Sequence, residues 1–259
     1  MSEAAVRRAG EAKVASPYLV EARGISKRFG GVLALDKVDF RLDGGEVVAL
    51  AGDNGAGKST LIKVISGVFQ ATAGELFFHG APAHFDNPQT ARDHGIETIY
   101  QDLALADNLD VGANVFLGRE PIRRLFGLPY VDRQRMRREA AETLKTLDIE
   151  LDRLDRPVRA LSGGQRQCVA IGRALHWHAK VLIMDEPTAA LGVPEQRKVL
   201  ALTRSLAQRG VGIIFISHNL QDIFAVSDRI VVLRRGALAG ERRTAESRPD
   251  EIVGLMVGA

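Results

Sequence analysis

The chain has 259 residues, of which 46% are hydrophobic and 26% charged, and its formal net charge at pH 7 is +3. This length is enough for one large α/β domain, or for a domain with an added lobe. The small positive charge is spread along the chain, so charge alone gives no argument for a nucleic-acid-binding protein. The single cysteine, Cys168, excludes an internal disulfide and fits a reducing compartment.

Neither a membrane span nor a secretion signal is indicated. No run approaches the roughly 18 apolar residues of a transmembrane helix. The first 16 residues mix charged side chains with alanine and lack the apolar core of a signal peptide. We therefore expect a soluble, cytosolic protein with a flexible tail over residues 1–16 and one domain over residues 17–259.

The first part of the chain predicts antiparallel β structure. Strand-like segments over residues 18–23 and 33–42 are separated by paired glycines at 30–31, and a second pair at 44–45 turns the chain into the next strand. A further hairpin is expected at 75–78.

A glycine-rich segment follows the apolar run 47–50 and precedes a helix-compatible stretch. It reads G-x-x-x-x-G-K-[ST], which in this context is typical of a phosphate-binding loop. Glycine lets backbone N–H groups close around phosphate oxygens, and the following helix presents its positive end to the same anion. Lys58 can reach the β- and γ-phosphates, and the Ser59 hydroxyl can ligate Mg²⁺. The alternative is an ordinary glycine-rich turn. The candidate phosphate-binding residues are Gly52, Asp53, Asn54, Gly55, Ala56, Gly57, Lys58, Ser59 and Thr60.

The character of the chain changes after a short apolar strand at 96–100. Segments from about 103 to 178 have helical spacing, including 111–117 and 132–147, the latter with Asp132 as N-cap. We expect a helical lobe inserted into an α/β core. Four arginines of the second helix lie beside glutamates, which favours a solvated face over an RNA-binding strip; they are Arg133, Arg135, Arg137 and Arg138.

The α/β pattern then resumes. Strands are predicted at 181–184 and 213–216, helices at 194–208 and 219–226, a closing hairpin around Gly236, and a short last helix at 250–257. The first of these strands ends in Asp185 and Glu186. Asp185 could hold Mg²⁺ through water, and Glu186 could orient and partly deprotonate an attacking water. Alone this pattern is weak, because many strands end at a polar loop.

The segment Leu-Ser-Gly-Gly-Gln at 161–165 resembles the signature sequence of ABC-type ATPases. Its position ahead of the strand that ends in Asp185 and Glu186 makes the assignment of those two acids specific. Ser162 as an N-cap, with two glycines leaving N–H groups open, forms a helix end that can accept an anion. A capped helix with no further role is the alternative. With five motifs in the right order, the resemblance covers residues 18–255. It implies an α/β fold: a P-loop NTPase core of ABC type with an antiparallel β subdomain and an inserted helical subdomain at about 103–178.

The resemblance also implies roles for single residues. Gln101 approaches Mg²⁺ and signals to a membrane partner, His218 contacts the γ-phosphate, and Phe29 stacks on adenine. Read alone, His218 is more often a loop histidine and Phe29 a core residue. The implied catalytic residues are Glu186, His218, Gln101 and Lys58, and the implied metal ligands are Ser59, Gln101 and Asp185. The signature residues that complete the nucleotide site are Ser162, Gly163, Gly164 and Gln165.

A narrower resemblance is carried by 95–120, which ends in Phe-Leu-Gly-Arg-Glu, and by 187–193. Both are similar to the ATP-binding subunits of monosaccharide importers of the ribose, xylose and fructose type, and most of all to the fructose type. This implies an ATPase that energises a separate transmembrane permease, served by an extracytoplasmic sugar-binding protein. Localisation would be cytoplasmic, peripheral on the inner face of the cell membrane. A single ATPase unit suggests a homodimer, with ATP between the Lys58 loop of one chain and the signature of the other.

Two other classes are less consistent with the sequence. A soluble ABC ATPase acting on DNA or ribosomes has little support, because the stretch between Gln101 and Leu161 is too short for a long coiled coil. A nucleotide binder without turnover is disfavoured by the presence of Glu186, Gln101 and His218 together. We therefore expect no nucleic-acid partner.

One position departs from the family pattern. Gly192 stands where an aspartate is usual near the dimer interface. Restoring the acid is expected to tighten dimerisation, unless another residue such as Glu195 already fills the role. Cys168 and Trp177 are expected to be packing residues, and the sequence does not identify the sugar.

Overall fold

The computed structural model describes residues 17–147, 149 and 153–258. The tail predicted for residues 1–16 lies outside these. The strands of the described part, in chain order, are β1 (Val20–Phe29), β2 (Val32–Leu42), β3 (Val47–Ala51), β4 (Ala73–Phe78), β5 (Ala81–Ala83), β6 (Ile96–Ile99), β7 (Ile122–Leu125), β8 (Leu128–Val131), β9 (Val181–Asp185), β10 (Gly212–Ile216), β11 (Arg229–Arg234) and β12 (Ala237–Arg243). The α-helices of the same part are α1 (Lys58–Ile65), α2 (Pro88–Asp93), α3 (Val111–Val115), α4 (Arg133–Thr146), α5 (Gly163–His176), α6 (Val193–Gln208), α7 (Leu220–Val226) and α8 (Pro249–Val257).

The central sheet has the strand order β12-β11-β3-β10-β9-β6, and only the β11–β12 pairing is antiparallel. Strands β3 and β10 are buried along their whole length, as expected for parallel strands covered on both faces. Their apolar runs therefore show no alternation. Because the strands are parallel, β3, β6, β9 and β10 all end at the same edge of the sheet, where ligands bind in open α/β sheets.

A second, antiparallel sheet has the order β2-β1-β4-β5. It confirms the predicted antiparallel subdomain, including the hairpin that continues from β4 into β5. The long strand β1 carries register shifts near Gly24, whose φ of 58° lies in the left-handed region. This irregularity explains why the sequence predicts two short segments in its place.

The helical lobe is formed by α3, α4 and α5 around buried apolar side chains such as Val115, Met136 and Leu144. Asp132 caps α4 as predicted, with its Oδ1 accepting the N–H of Arg135 at 3.0 Å. The arginines of α4 form exposed ion pairs, Arg135 with Glu139 and Arg137 with Asp110, which agrees with a solvated face. Among the helices that the structure describes, none combines the length and apolarity needed to cross a bilayer.

The lobe is not wholly helical, which corrects the prediction for 103–178. Strands β7 and β8 form a hairpin within it, closed by Phe126 and Gly127, whose φ angles are 49° and 82°. Two successive residues with positive φ make the tight turn that suits antiparallel strands, and this turn overrides the helical spacing around it. Helix α2 was also not predicted, although Asn87 as N-cap and Pro88 in the first turn are its ordinary start signal.

The loop that leads into α3 is held by one buried amide. The Asn114 side chain is fully buried, and its Oδ1 accepts the N–H of Ala106 at 2.7 Å. Its Nδ2 lies 3.0–3.2 Å from the carbonyl oxygens of Ala106, Leu109 and Asp110. A single buried side chain therefore satisfies several backbone groups of a half-buried turn.

Replacement of Asn114 by alanine is expected to lower the free energy of unfolding by about 2–4 kcal/mol, because each buried polar group left unpaired costs roughly 1–3 kcal/mol. Urea unfolding followed by circular dichroism measures this. Asn108→Ala is the matched control, since Asn108 is exposed on the same loop and should change little. Equal stabilities of the two variants would contradict the role given to Asn114.

Candidate active site

The segment between β3 and α1, residues 52–57, is the phosphate loop. Gly52 and Gly57 have φ angles of 144° and 106°. A Cβ at Gly52 would run into the backbone carbonyl of Leu233. A Cβ at Gly57 would lie 2.9 Å from Leu35 Cδ2 and 3.0 Å from the carbonyl oxygen of Ala34. Only glycine fits at both ends of the loop, so the chain path that opens its N–H groups depends on the predicted glycines.

Lys58, the first residue of α1, turns its amino group back into this loop. Its Nζ donates to the carbonyl oxygens of Gly52 at 2.5 Å and Asp53 at 3.1 Å. Burial lowers the pKa of Lys58, and the nearby carboxylates of Glu186, Asp53 and Asp185 act in the opposite direction. The Lys58 ammonium group thus lies inside the phosphate loop, and its hydrogen-bond partners there are two uncharged backbone carbonyl groups. Ser59, also in the first turn of α1, is exposed.

Asp185 ends β9, which β10 separates from β3, and it lies opposite Ile216 of β10 in the parallel register. Burial raises the pKa of Asp185, the neighbouring Glu186 raises it further, and Lys58 and Lys63 partly offset this. Two adjacent carboxyl groups in a half-buried setting favour the arrival of positive charge.

Glu186 and His218 meet at the same edge from neighbouring strands. Glu186 has a φ of 52°, and its N–H donates to the carbonyl oxygen of Ile216 at 2.9 Å. The Glu186 side chain is 18% exposed, and its Oε2 lies 2.7 Å from Nδ1 of the exposed His218 ring. Within the described residues Oε2 has no contact with the alignment of a hydrogen bond, although the His218 ring nitrogen lies within ion-pair distance. A buried carboxylate oxygen without a donor is suited to accept a proton from a bound water.

Gln101 follows β6 by two residues and is exposed. In the β6–β9 register Ile99 lies opposite Met184, which brings the chain after β6 alongside the end of β9. The segment just beyond Gln101 is held from the lobe, because Arg173 of α5 donates to the carbonyl oxygens of Leu103 at 3.1 Å and Ala104 at 2.9 Å.

The signature cap, residues 162–165, begins α5 with a capping box. Gln165 N–H donates to Ser162 Oγ at 3.3 Å, and Ser162 N–H donates to Gln165 Oε1 at 2.9 Å. A Cβ at Gly163 would lie 3.1 Å from Leu191, and one at Gly164 would lie 2.6 Å from Glu195 Cγ. None of the hydrogen bonds or ion pairs of the described residues joins this cap to the phosphate loop of the same chain. Its neighbours are the segment ahead of α6 and α6 itself.

Glu195 also approaches Gly192, the residue that precedes α6 without a side-chain cap. A Cβ at Gly192 would lie 2.9 Å from Glu195 Oε2. The Glu195 carboxylate therefore occupies space that an aspartate at 192 would enter. Both alternatives that the sequence leaves for this position stay predictions, and Glu195 is an acid that lies beside the signature cap.

Phe29 lies at the end of β1 and is 41% exposed. Its ring packs edge-on against Phe69, with 5.1 Å between centroids, and Lys27 Nζ lies 5.0 Å from the ring centre. The remaining ring surface is open to solvent and can stack on a base. Trp177 and Cys168 are partly buried and pack against the core as predicted: Trp177 Nε1 donates to the carbonyl of Val115 at 3.0 Å, and burial raises the pKa of Cys168.

The sequence did not single out one supporting contact. Thr188 and Asp222 are both buried, and Thr188 Oγ1 donates to Asp222 Oδ2 at 2.6 Å. This bond ties the segment after Glu186 to α7, the helix after His218. In the sequence, an acid on the apolar face of a short helix indicates that Asp222 needs a polar partner. The packing of the folded chain identifies that partner as Thr188.

Thr188→Val removes the donor from a buried carboxylate and is expected to lower the free energy of unfolding by about 1.5–3 kcal/mol, the usual range for hydrogen bonds to charged groups. Denaturant unfolding measures the change. Thr203→Val is the matched control, because the Thr203 hydroxyl is equally buried but donates to a helical carbonyl, that of Val199. Asp222→Asn keeps an acceptor and should cost less than Thr188→Val. A control that loses as much stability as Thr188→Val would contradict this reading.

Comparison with known proteins places this geometry in a family. The family model described as "ABC transporter" matches residues 35–189. The xylose/arabinose import ATP-binding protein XylG of Sulfolobus acidocaldarius is 47% identical, over 92% of this chain and 93% of its own length. The fructose import ATP-binding protein FrcA of Rhizobium meliloti is 44% identical, over 95% and 96%.

A third relative differs in length. The ribose import ATP-binding protein RbsA 1 of Rubrobacter xylanophilus is 48% identical over 93% of this chain, which spans only 47% of that relative. Among solved structures, an ATP-binding cassette of an ABC transporter in its ADP conformation superposes with a TM-score of 0.79 at 28% identity, covering 94% of this chain and 100% of that one. The fold predicted from the sequence is confirmed. The chain belongs to the ABC transporter family, as an ATP-binding domain.

Proposed function

We propose that this chain is the ATP-hydrolysing subunit of an ABC-type importer of a monosaccharide. The observation that carries the proposal is the convergence, at one edge of the parallel sheet, of the phosphate loop with Glu186, whose buried Oε2 has no aligned donor within the described residues. The relatives that this chain matches over nearly their whole length are named as import proteins for xylose and arabinose or for fructose. Because those names differ, the proposal stops at the class of sugar.

Different residues of the site have different roles in ATP hydrolysis. The phosphate loop and Lys58 bind the phosphates, with Lys58 exchanging two neutral carbonyls for charged oxygens, which are stronger acceptors. Glu186 orients the attacking water and accepts its proton, and His218 lies beside Glu186 to contact the terminal phosphate. Phe29 stacks on the adenine.

Side chains with oxygen ligands of the kind that Mg²⁺ prefers are present at the same edge of the parallel sheet. The Ser59 hydroxyl and the Gln101 side chain are exposed, and the Asp185 carboxyl has a raised pKa that a cation would reverse. These three residues would hold the ion, with Asp185 acting through water. Bound there, Mg²⁺ supplies neutralisation of the charge on the β- and γ-phosphates.

A second copy of the chain completes the nucleotide site. The signature cap presents open N–H groups at a helix N-terminus, and its own chain's phosphate loop does not use them. Two chains arranged head to tail would let the cap of each, Ser162, Gly163, Gly164 and Gln165, bind the nucleotide of the other. ATP then bridges the homodimer, and hydrolysis removes the bridge.

The remaining partners follow from the import role. A transmembrane permease would contact the Gln101 segment and the helical lobe, and an extracytoplasmic sugar-binding protein would deliver the substrate. The chain would then lie in the cytoplasm, peripheral on the inner face of the cell membrane. A role on DNA or ribosomes has no support among the relatives described, which are all named as transport proteins.

Lys58→Ala is expected to reduce ATP turnover by about 10²–10³-fold, the usual loss when one charge-stabilising group is removed from an active site. Phosphate release by the purified chain measures turnover, and fluorescent nucleotide titration measures binding. Lys145→Ala, on the exposed face of α4, is the control and should behave as wild type. Near-normal turnover in Lys58→Ala would refute the assignment of the loop.

Glu186→Gln is expected to bind ATP, to hydrolyse it about 10²–10⁴-fold more slowly, and to accumulate as a dimer, because an amide keeps the shape but takes no proton. Sedimentation with and without Mg-ATP measures association. Adding Lys58→Ala to the same variant should abolish the dimer. A Glu186→Gln chain that stays monomeric at high concentration with Mg-ATP would show that ATP is not the bridge.

A further inference from the structure

The β7–β8 hairpin takes no part in the site, yet it presents apolar side chains to solvent. Phe126 at its tip is 97% exposed, Leu128 is 73% exposed and Ile122 is 58% exposed. Every described side chain from 122 to 131 is exposed, on both faces of the two strands. A two-stranded hairpin with neither face covered is marginally stable in water, so this one is suited to contact something outside its own chain.

The tip residue is unfavourable for the turn that it occupies. Phe126 has a φ of 49°, in the left-handed region that bulky residues avoid, and such turns prefer asparagine, aspartate or glycine at this position. The Phe126 ring is not packed against the rest of the chain, so no burial of apolar surface offsets the cost of this backbone conformation. Neither the backbone nor the core therefore accounts for an aromatic residue here.

The charges of the hairpin have one sign. Arg123 and Arg124 are the only charged residues between 121 and 131. Arg124 has no ion-pair partner within the part of the chain that the structure describes, and Arg123 has only Asp132, with 3.7 Å between Nη1 and Oδ2. Along a strand that rises about 3.3 Å per residue, the arginines lie roughly 7–10 Å behind the tip.

We propose that this hairpin contacts the surface of an anionic bilayer, with Phe126 and Leu128 in the boundary between headgroups and acyl chains and with Arg123 and Arg124 on lipid phosphates. The spacing matches the ~5–10 Å to which interfacial elements enter a membrane. Long arginine side chains can lie along apolar surface and keep their charge among the phosphates.

The exposure of both faces favours a bilayer over a protein partner. A protein groove covers one face of a hairpin, and a stable protein interface takes about 20–30 residues a side, more than this hairpin supplies. A bilayer surrounds the tip on all sides and needs no complementary shape. The inference rests on the proposed function in that the chain works at a membrane.

Flotation of the full-length chain with vesicles tests the proposal, using phosphatidylcholine alone or mixed with phosphatidylglycerol. We expect binding to the anionic vesicles, reduced about tenfold or more by Phe126→Ser with Leu128→Ser, since partitioning scales with the buried apolar area. Arg123→Gln with Arg124→Gln should remove the preference for anionic lipid and the dependence on salt. The matched control is Val253→Ser with Val257→Ser, two exposed apolar residues of α8, which should bind as wild type.

A second readout does not depend on loss of binding. Phe126→Trp should show a blue shift of tryptophan emission on addition of anionic vesicles. ATPase activity should be unchanged in all hairpin variants, and Lys58→Ala should still bind vesicles, so the two proposals can fail separately. Absence of vesicle binding by the wild type, or equal binding by the Phe126 and Leu128 variant, would overturn the inference. So would normal vesicle binding by that variant together with lost association with the permease, because the occupant would then be a protein.

Discussion

The parallel pairing of β3, β10 and β9 is the constraint on which the site depends. Each strand brings one piece of chemistry to its carboxyl end: the phosphate loop, the segment with His218, and the pair Asp185 and Glu186. The register, with Ile216 opposite both Leu50 and Asp185, aligns these ends at one edge. A slip of one residue would turn the side chains of a strand to the other face and move the residues at its carboxyl end out of line, so the site depends on this register.

The site shows two ways of leaving polar groups ready for a ligand. The Lys58 ammonium is held by backbone carbonyls, which are weaker partners than phosphate oxygens. Oε2 of Glu186 is buried without an aligned donor among the described residues, which is costly unless a ligand or water supplies one. Buried bonds nearby, such as that of Thr188 to Asp222, hold the backbone in place around these groups.

Much of this could be predicted from the sequence, because the phosphate loop, the strand ends and the cap are short segments whose geometry depends on their own residues. The positive φ angles of Gly52 and Gly57 are a local reason for glycine, and Asp132 and Ser162 cap the helices that follow them. The unpredicted features depend on distant neighbours. The side chain of Glu195 fills the space left by both Gly164 and Gly192, and Asp222 finds Thr188 only after folding. The β7–β8 hairpin was missed because its turn places a phenylalanine where turn statistics favour asparagine.

Helix α5 joins two parts of the molecule that are far apart along its length. It has 14 residues and is therefore about 21 Å long. The signature cap forms its first turn, and Arg173, near its other end, holds the carbonyls of Leu103 and Ala104 just after Gln101. A helix of this length is stiff, so a tilt that moves the cap must also pull on the segment at Gln101. Helix α5 thus couples the signature cap at its N-terminus to the segment after Gln101, which the Arg173 guanidinium group binds near its C-terminus.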